Sequence, residues 1–412
     1  MQPRSALSYR DLLRSVPDLR RLWPGLAISW LGDGVQFVAL VWLASAGPNP
    51  GTRVGVLVWA IMLPPVLLGP LAGALADRFH RRTLLIACDL LRGLLTAAIP
   101  VLYTLWGFPS VVGAAAISSA LEVLFGAAYT GATPEIVGRE RLVALSGLQA
   151  TTFHVMNALG AAAGGLLLAR TSIAVPFLAN AATFGWSALM IFGIPRERFD
   201  LPSRRRDEPY LAALVGGFAY VRGDRPLLRL MTANALATCG FAPAPVALVV
   251  LARTALGMDS AGYGMLQSLV TAGLAVGAAA AGRLTPPDRK VTTAATGYIA
   301  MAIATLLLGL STAPGMAAVF VFLRSAANSV LAVPLRPVLQ ERIPSEWRGR
   351  VFTVIQSAAE LPRLFILPVA GGLVDALGVR TVYVLMALAI ASSGALIFLL
   401  RGALEPKLAD RL

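Results

Sequence analysis

The stretch GALADRFHRRTLL (residues 73–85) lies between two long apolar segments. These segments cover residues 54–76 and 83–106, and each is long enough to cross a hydrocarbon core of about 30 Å as a helix. Between them, five of the six residues from Asp77 to Arg82 have ionisable side chains. A short charged loop between two apolar helices is typical of a protein that crosses a membrane several times.

The composition of the whole chain is that of an integral membrane protein. The 412 residues are 57% hydrophobic and 14% charged, whereas soluble domains carry about 25% charged residues. Backbone groups inside a bilayer must be hydrogen-bonded within the protein, so we expect helical spans and an all-α fold. A net charge of +14 indicates nucleic-acid binding in a soluble chain. Here we attribute the charge to membrane topology and expect no nucleic-acid partner.

Twelve apolar segments predict twelve transmembrane helices in two sets of six. They cover residues 22–46, 54–76, 83–106, 108–130, 145–170, 174–194, 227–251, 260–282, 291–311, 314–338, 351–376 and 379–401. The one long break lies in the middle of the chain. We therefore predict a six-helix bundle over residues 1–194, a cytoplasmic linker over 195–226 and a second six-helix bundle over 227–412.

The second part of the linker has the pattern of an interfacial helix. Its apolar residues share one helical face, which would lie on the membrane surface. We expect the neighbouring glycines, Gly216 and Gly217, to weaken this helix. The apolar residues of this face are Leu211, Leu214, Val215, Phe218 and Val221.

The basic residues are distributed unevenly between the two ends of the predicted spans. Of the 35 lysine and arginine residues, 28 lie in or beside the loops at one end, four lie at the other and three lie within spans. The positive-inside rule places the basic end, with both termini, in the cytoplasm. The first apolar segment is too long for a signal peptide, so we expect it to be retained. The predicted location is the cell (inner) membrane, with multiple passes.

A weak internal repeat relates the two halves. LGPLAGALADRFHRR (residues 68–82) aligns with VGAAAAGRLTPPDRK (276–290), and AAAGGLL (161–167) aligns with PVAGGLV (368–374). The two offsets differ by one residue, which indicates duplication of a six-helix unit. Transporters built from parallel repeats have their substrate site near the membrane midplane, between the halves.

These features resemble the major facilitator superfamily over the whole chain. The signature of its loop between spans 2 and 3 is matched by Gly73, Asp77, Arg78, Arg81 and Arg82, with His80 in place of the second signature glycine. Further stretches are similar to the drug:proton antiporter branch, which includes the enterobactin exporter and macrolide efflux proteins. They are LRRLWPGLAISWLGDGVQFVALVWLA (19–44), CDLLRGLL (88–95), TPEIVGRERLVALSGL (133–148), VRGDRPLLRL (221–230) and SEWRGRVF (345–352).

One stretch departs from the antiporter pattern. Antiporters of this superfamily often carry Gly-Pro-x-x-Gly-Gly in span 5, whereas this chain has GAAAGG (160–165) without the proline. Its small residues would still allow close helix packing.

The resemblance implies that the loop of residues 73–82 is a gate between the halves. Asp77 would face the positive N-terminus of the span that begins near Gly349. The three arginines of the motif would pair with carboxylates or carbonyl groups, and Gly73 would let helices approach closely. The alternative is that these charges only set the orientation in the membrane.

Seven acidic or arginine residues lie well inside predicted spans, away from their ends: Asp33, Asp89, Arg92, Glu122, Arg324, Glu360 and Arg363. Each costs about 2.5–3.5 kcal/mol at a helix centre, so we expect each to have a role. Spans 1 and 4 line the central cavity in this architecture, and a partly dehydrated carboxylate there can exchange a proton near neutral pH. Asp33 and Glu122 are therefore candidates for binding a proton or a cation. The alternative is a buried acid that fixes helix packing.

The other intramembrane charges form two groups. Asp89 and Arg92 are three residues apart on one helix face, which predicts a structural ion pair. Arg324, Glu360 and Arg363 place two arginines against one acid in the second half. One arginine would then meet an anionic group of the substrate, unless all three close into one network.

Three uncharged or weakly charged residues are further binding candidates. His154 would relay protons, or would simply be a hydrogen-bonded residue of span 5. Gln36 and Asn157 would orient a polar ligand.

No motif for catalysis, metal binding or a cofactor stands out. Cys88 and Cys239 fall in apolar segments without metal-ligand spacing, and no ATP-binding glycine-rich loop is present. We expect a monomeric secondary transporter rather than an enzyme, with a small-molecule substrate, protons and membrane lipid as its partners. The expected function is proton-coupled export of a small amphipathic molecule such as a drug, a macrolide or a siderophore-like metabolite. A lipid or lysophospholipid flippase and a transporter-like membrane sensor are the alternatives.

Overall fold

The computed structural model describes residues 9–199, 210–286 and 289–404. The regular secondary structure of these residues is entirely helical, and they contain no β-strand. The helices are α1 Tyr9–Ser15, α2 Leu19–Ala44, α3 Pro50–Ala76, α4 Arg81–Trp106, α5 Phe108–Val137, α6 Leu142–Arg170, α7 Ala174–Phe192, α8 Tyr210–Gly223, α9 Arg225–Phe241, α10 Ala244–Val250, α11 Ser260–Leu284, α12 Lys290–Gly309, α13 Pro314–Arg342, α14 Ser345–Leu377, α15 Val379–Leu399 and α16 Arg401–Leu404.

Within the described residues, eleven helical segments are long and apolar enough to cross a membrane. They are α2, Pro50–Gly69 of α3, α4, α5, α6, α7, the run Arg225–Ala255, α11, α12, Pro314–Leu335 of α13 and α15. The prediction of an all-α membrane protein is confirmed. The predicted span over 351–376 lies in α14, where several side chains fall outside the described part of the structure.

The seventh predicted span is made of three helical pieces rather than one. After α9, the chain turns at Ala242 and Pro243, continues as α10 and ends in a π-helix over Leu251–Ala255. Proline has no amide hydrogen and its ring clashes with the preceding turn, so Pro243 favours an interruption at the end of α9.

The helices form two compact units. One unit comprises Met1–Leu43 and Ala60–Arg205, and the other comprises Ala44–Trp59 and Arg206–Leu412. In the first unit, α4 packs against α5 and α7; in the second, α12 packs against α13 and α15. These are the third, fourth and sixth helices of each set, so the two units share a packing pattern as well as the sequence repeat. The division differs from the predicted boundaries because the beginning of α3 groups with the second unit.

The beginning of α3 is bound to α14 inside the second unit. The carboxylate of Asp375 accepts hydrogen bonds from the Gly51 amide (2.8 Å), the Thr52 amide (2.8 Å) and the Thr52 hydroxyl (2.7 Å). A Cβ atom at Gly371 would overlap the Gly51 carbonyl oxygen, so only glycine allows this approach. Asp375 thus caps the first amides of α3, which have no partner within the helix.

Glycines also bring α2 and α6 together in the first unit. A Cβ atom at Gly160 would overlap the Leu31 carbonyl oxygen, and one at Gly164 would lie 2.7 Å from Val35 Cα. In a bilayer, close packing rather than apolar burial holds helices together, because lipid tails are as apolar as the side chains. The GAAAGG stretch therefore provides a close helix contact without its proline.

A short helix precedes the first long helix of each unit. In the first unit this is α1, which was not predicted from the sequence, and its Leu12 is fully buried. In the second unit it is α8, where Tyr220 stacks on Trp347 with ring centroids 5.3 Å apart.

The two faces of α8 differ. Val215 and Phe218 are exposed by 71% and 55%, while Val221 is buried, and the side chains of Leu211 and Leu214 lie outside the described residues. A Cβ atom at Gly217 would overlap the Arg350 carbonyl oxygen. Gly217 therefore provides a close contact with α14, besides lowering helix propensity.

Candidate functional site

The guanidinium of Arg92 on α4 joins three neighbouring helices of the first unit. It lies 3.2 Å from the carboxylate of Asp33 on α2 and 3.4 Å from that of Glu122 on α5. On its other side it packs over the ring of Phe184 on α7, with 4.3 Å between the guanidinium carbon and the ring centre. We call Asp33, Asp89, Arg92, Glu122 and Phe184 the Arg92 cluster.

Uncharged side chains on the same helices as the Arg92 cluster are joined to one another by hydrogen bonds. The Gln36 side-chain oxygen accepts hydrogen bonds from the Thr96 hydroxyl (3.1 Å) and the Asn180 amide. The Thr183 hydroxyl donates to the Asn180 side-chain oxygen (2.8 Å). A Cβ atom at Gly32 would overlap this Asn180 oxygen, so Gly32 provides the space for it. Gln36 was predicted as a site residue, whereas Asn180 and Thr183 were not.

The members of the Arg92 cluster differ greatly in exposure. The side chain of Glu122 is 60% exposed and that of Asp33 is 26% exposed, whereas that of Arg92 is 6% exposed. Asp89 is 1% exposed. The cluster is therefore accessible from outside at Glu122 and inaccessible at Asp89.

The predicted ion pair between Asp89 and Arg92 is not formed. Arg92 extends to Asp33 and Glu122, whose two carboxylates together attract the guanidinium more strongly than one. Neither Asp89 carboxylate oxygen accepts a hydrogen bond within the described residues, and neither does the buried Ser187 hydroxyl on α7 have a partner there. The three-residue spacing correctly places Asp89 and Arg92 on one helix but does not decide where the long arginine side chain reaches.

The two candidates on α6 make no described side-chain hydrogen bond to the Arg92 cluster. The His154 ring packs against Phe153, with ring centres 5.6 Å apart. The Nδ1 atom of His154 and the Nδ2 atom of Asn157 are buried without a hydrogen-bond partner among the described residues. No hydrogen bond of the described side chains joins either residue to Arg92.

The second unit holds the other predicted charges. The Nε and Nη1 atoms of Arg324 on α13 are buried without a hydrogen-bond partner among the described residues. Arg363 lies over the ring of Phe241, 5.4 Å from its centre. The side chain of Glu360 lies outside the described residues, and so does the network predicted through it.

The charged loop between α3 and α4 is attached to two helices of its own unit. Arg81 donates to the Gly131 carbonyl of α5 (3.0 Å) and lies 3.5 Å from the Asp77 carboxylate. Arg82 donates to the Phe192 carbonyl of α7 and packs over the Phe192 ring.

The remaining residues of the loop motif have few close neighbours. Asp77 and Arg78 are exposed. A Cβ atom at Gly73 would meet no described atom within 4 Å.

Among the residues that the structure describes, no three histidine, cysteine or acidic side chains are grouped to hold a metal ion.

Comparison of the sequence with known proteins identifies relatives over most of its length. The model of the Major Facilitator Superfamily matches residues 22–365 and 230–411. The chain is 28% identical over 390 residues to the uncharacterized MFS-type transporter YfiS of Bacillus subtilis (strain 168), covering 91% of both chains. It is 28% identical over 389 residues to the multidrug efflux pump Tap of Mycobacterium tuberculosis (strain ATCC 25618 / H37Rv), covering 88% of both.

Solved transporter structures share the fold at low sequence identity. A bacterial homologue of the iron transporter ferroportin in the inward-facing state matches with a TM-score of 0.75 and 14% identity, covering 94% of this chain and 99% of the other. The nucleoside transporter NupG matches with a TM-score of 0.75 and 10% identity, covering 95% and 100%. The chain is thus a multi-pass membrane transporter rather than an enzyme, and it belongs to the Major Facilitator Superfamily.

Proposed function

We propose that this transporter exports small amphipathic molecules, preferably cations, in exchange for protons. The observation that carries the proposal is the excess of acids in the Arg92 cluster. Asp33, Asp89 and Glu122 surround one arginine, so the cluster can accept a further positive charge. An acid within a span is expensive and marks an ion or substrate pathway. The similarity to a multidrug efflux pump is consistent with this substrate class.

In this proposal, the exposed acids receive the substrate. The 60% exposed side chain of Glu122 and the 26% exposed side chain of Asp33 are accessible to a bound cation. The buried Phe184 ring holds the Arg92 guanidinium beside these acids through a cation–π contact. Gln36 and Asn180 hold the neighbouring helices in register through their hydrogen bond.

The proposed transport cycle is alternation of two six-helix bundles joined by the linker over 195–226. Both termini would lie in the cytoplasm, and the protein would act in the inner membrane. The loop that contains Asp77, Arg81 and Arg82 would then be a cytoplasmic gate, held to α5 and α7 by its arginines. Arg324 and Arg363 remain candidates for a polar group of the substrate.

The test is transport in everted membrane vesicles with an imposed proton gradient, followed by a pH-sensitive dye. Ethidium, erythromycin and a catecholate siderophore are added in turn. We expect ethidium to dissipate the gradient, and Asp33→Asn and Glu122→Gln to abolish this response. Glu135→Gln is the matched control, because Glu135 is an exposed acid near the end of the same helix as Glu122.

Other outcomes would replace the proposal. A response only to the siderophore would contradict cation export. Full proton-dependent transport by Asp33→Asn would exclude Asp33 from coupling. Lipid movement without a gradient would indicate a flippase.

A further inference from the structure

Asp89 has an ionisable side chain, but its buried surroundings would stabilise the charged form poorly. It lies on α4, is 1% exposed, and neither of its oxygens accepts a hydrogen bond within the described residues. The nearby Ser187 hydroxyl on α7 makes no hydrogen bond in that part of the chain either. An ionised carboxylate removed from water needs hydrogen-bond donors or a paired cation. Among the described residues, the Ser187 hydroxyl and Arg92 lie near Asp89, but neither donates a hydrogen bond to its carboxylate.

The ionisable groups around Asp89 strengthen this conclusion. Asp33 faces it from α2, Cys88 and Arg92 accompany it on α4, and α7 contributes the neutral Ser187. Glu122 on α5 faces Arg92 rather than Asp89. The one cation of the cluster, Arg92, contacts the carboxylates of Asp33 and Glu122 rather than that of Asp89.

We propose that Asp89 stores the transported proton, and that Arg92 moves from Asp33 and Glu122 to Asp89 when a cationic substrate takes its place. This inference rests on the proposed cation export and specifies its coupling step. Proton and substrate then occupy different carboxylates, rather than competing for the same one.

The step is balanced in charge and atoms. The O–H bond of Asp89 breaks, its electron pair stays on the carboxylate, and the proton leaves to water. Arg92 remains protonated throughout. One cation enters the cluster and one proton leaves it, so the net charge of the cluster is unchanged. Reversal on the other side of the membrane releases the substrate and reloads Asp89.

The geometry requires little movement. Residues three apart on a helix are neighbours on its surface, about 5–6 Å apart at their Cβ atoms. Arg92 can therefore reach Asp89 by rotating its long side chain, without a change in the backbone of α4. The substrate approaches from the open end of the cluster at Glu122, while Asp89 stays sealed until Arg92 turns.

The first test is infrared spectroscopy of the purified, substrate-free protein. A protonated carboxylic acid has a C=O stretch distinct from that of a carboxylate. We expect this band in the unmodified protein at neutral pH and expect Asp89→Asn to remove it. Asp375→Asn is the matched control and should leave the band unchanged, because the carboxylate oxygens of Asp375 accept three hydrogen bonds. Absence of a band sensitive to Asp89→Asn would overturn the proposal.

The second test measures proton release when tetraphenylphosphonium binds to the protein in weakly buffered detergent. We expect the unmodified protein to release a proton for each bound cation and to lose the infrared band. Asp89→Asn should bind the cation and release no proton, whereas Asp33→Asn should lose binding. If Asp89→Asn released as many protons as the unmodified protein, the proposed movement of Arg92 to Asp89 would be overturned.

Two further comparisons separate the possible failures. If Asp89→Asn does not fold, Asp89→Glu retains the acid and should shift the band rather than remove it; an unshifted band would count against Asp89. If the unmodified protein binds and transports no cation, the proposed function fails, and the exchange step fails with it. The substrate-free infrared band still decides in that case whether Asp89 holds a proton.

Discussion

Arg92 on α4 lies 3.2 Å from the carboxylate of Asp33 on α2, although the nearest acid in its own helix is Asp89. A second acid, Glu122 on α5, approaches the same guanidinium nitrogen to 3.4 Å. One side chain therefore connects three helices of the first unit. Its removal should affect both the stability of that unit and the exchange of cations.

We expect Arg92→Gln to destabilise the protein by about 3 kcal/mol, the lower end for breaking a buried ion pair, because Glu122 is partly exposed. The substitution leaves two acids facing each other without a cation. Thermal unfolding in detergent measures the effect. Arg92→Gln combined with Glu122→Gln should recover part of the loss, since one unpaired acid is removed. Equal melting of Arg92→Gln and the unmodified protein would show that the pair does not stabilise the fold.

We expect Gly160→Ala to destabilise the protein by about 1–3 kcal/mol, the usual cost of overpacking. The new methyl group would overlap the Leu31 carbonyl oxygen and push α6 away from α2. Gly113→Ala on α5 is the matched control, because its Cβ would meet nothing within 4 Å and alanine is the better helix former. The same thermal unfolding measurement distinguishes them. Equal melting of the two variants would rule out a tight contact at Gly160.

We expect Asp375→Ala to increase hydrogen exchange at the first amides of α3. The substitution removes the acceptor of the Gly51 and Thr52 amides, and loss of a helix cap costs about 0.5–2 kcal/mol. Asp259→Ala is the comparison, because Asp259 caps α11 through one amide, that of Gly262. Its effect should appear at α11 and leave α3 protected. Unchanged exchange at Gly51 and Thr52 in Asp375→Ala would contradict the capping role.

We expect the contact between Asp224 and Arg342 to stabilise the protein above about pH 4 and to weaken as the solution becomes more acidic. The Asp224 carboxylate lies 2.8 Å from Nε and 3.0 Å from Nη2 of Arg342 and also accepts from the Leu227 amide. Burial raises the pKa of this carboxyl, but the hydrogen bonds from Arg342 and Leu227 outweigh burial and place the pKa below its ordinary value.

The direction of the pH effect follows from that lowered pKa. The folded protein binds this proton less readily than the unfolded chain, so stability is fully present above the unfolded pKa and is lost as the pH falls through the folded pKa. Melting temperatures of the unmodified protein and Asp224→Asn between pH 7 and pH 3 measure it. The gap between the two should narrow on acidification; a gap that is constant with pH would contradict the ion pair.

The sequence predicts the helical membrane fold well because length and hydrophobicity are local properties. It also marks the charged members of the site, since any acid or arginine within an apolar span is conspicuous. Asp33, Arg92 and Glu122 are each visible in this way. Their mutual contacts are not, because the partners lie on separate helices and depend on packing. Asp89 and Arg92 show the limit: spacing predicts a pair, but two acids on other helices hold the arginine.

Other features have weaker signals in the sequence. Asn180 is a single uncharged polar residue in an apolar helix and resembles many others, so its bond to Gln36 follows only from the fold. The short helix α1 lies in a polar segment where length alone favours no helix, and it is stabilised by burying Leu12. The grouping of residues 44–59 with the second unit depends on glycine contacts with α14, which no local pattern reveals.

The shared helix α3 has a consequence for dividing this protein into pieces. A break in the linker between α7 and α8 would give two fragments of six long helices each. The second fragment would lack Ala44–Trp59, which completes its compact unit. The carboxylate oxygens of Asp375 would then lose the hydrogen bonds that Gly51 and Thr52 donate to them. We therefore expect neither fragment to fold fully on its own. Fragment complementation should therefore require both pieces to be made together, so that each finishes the other.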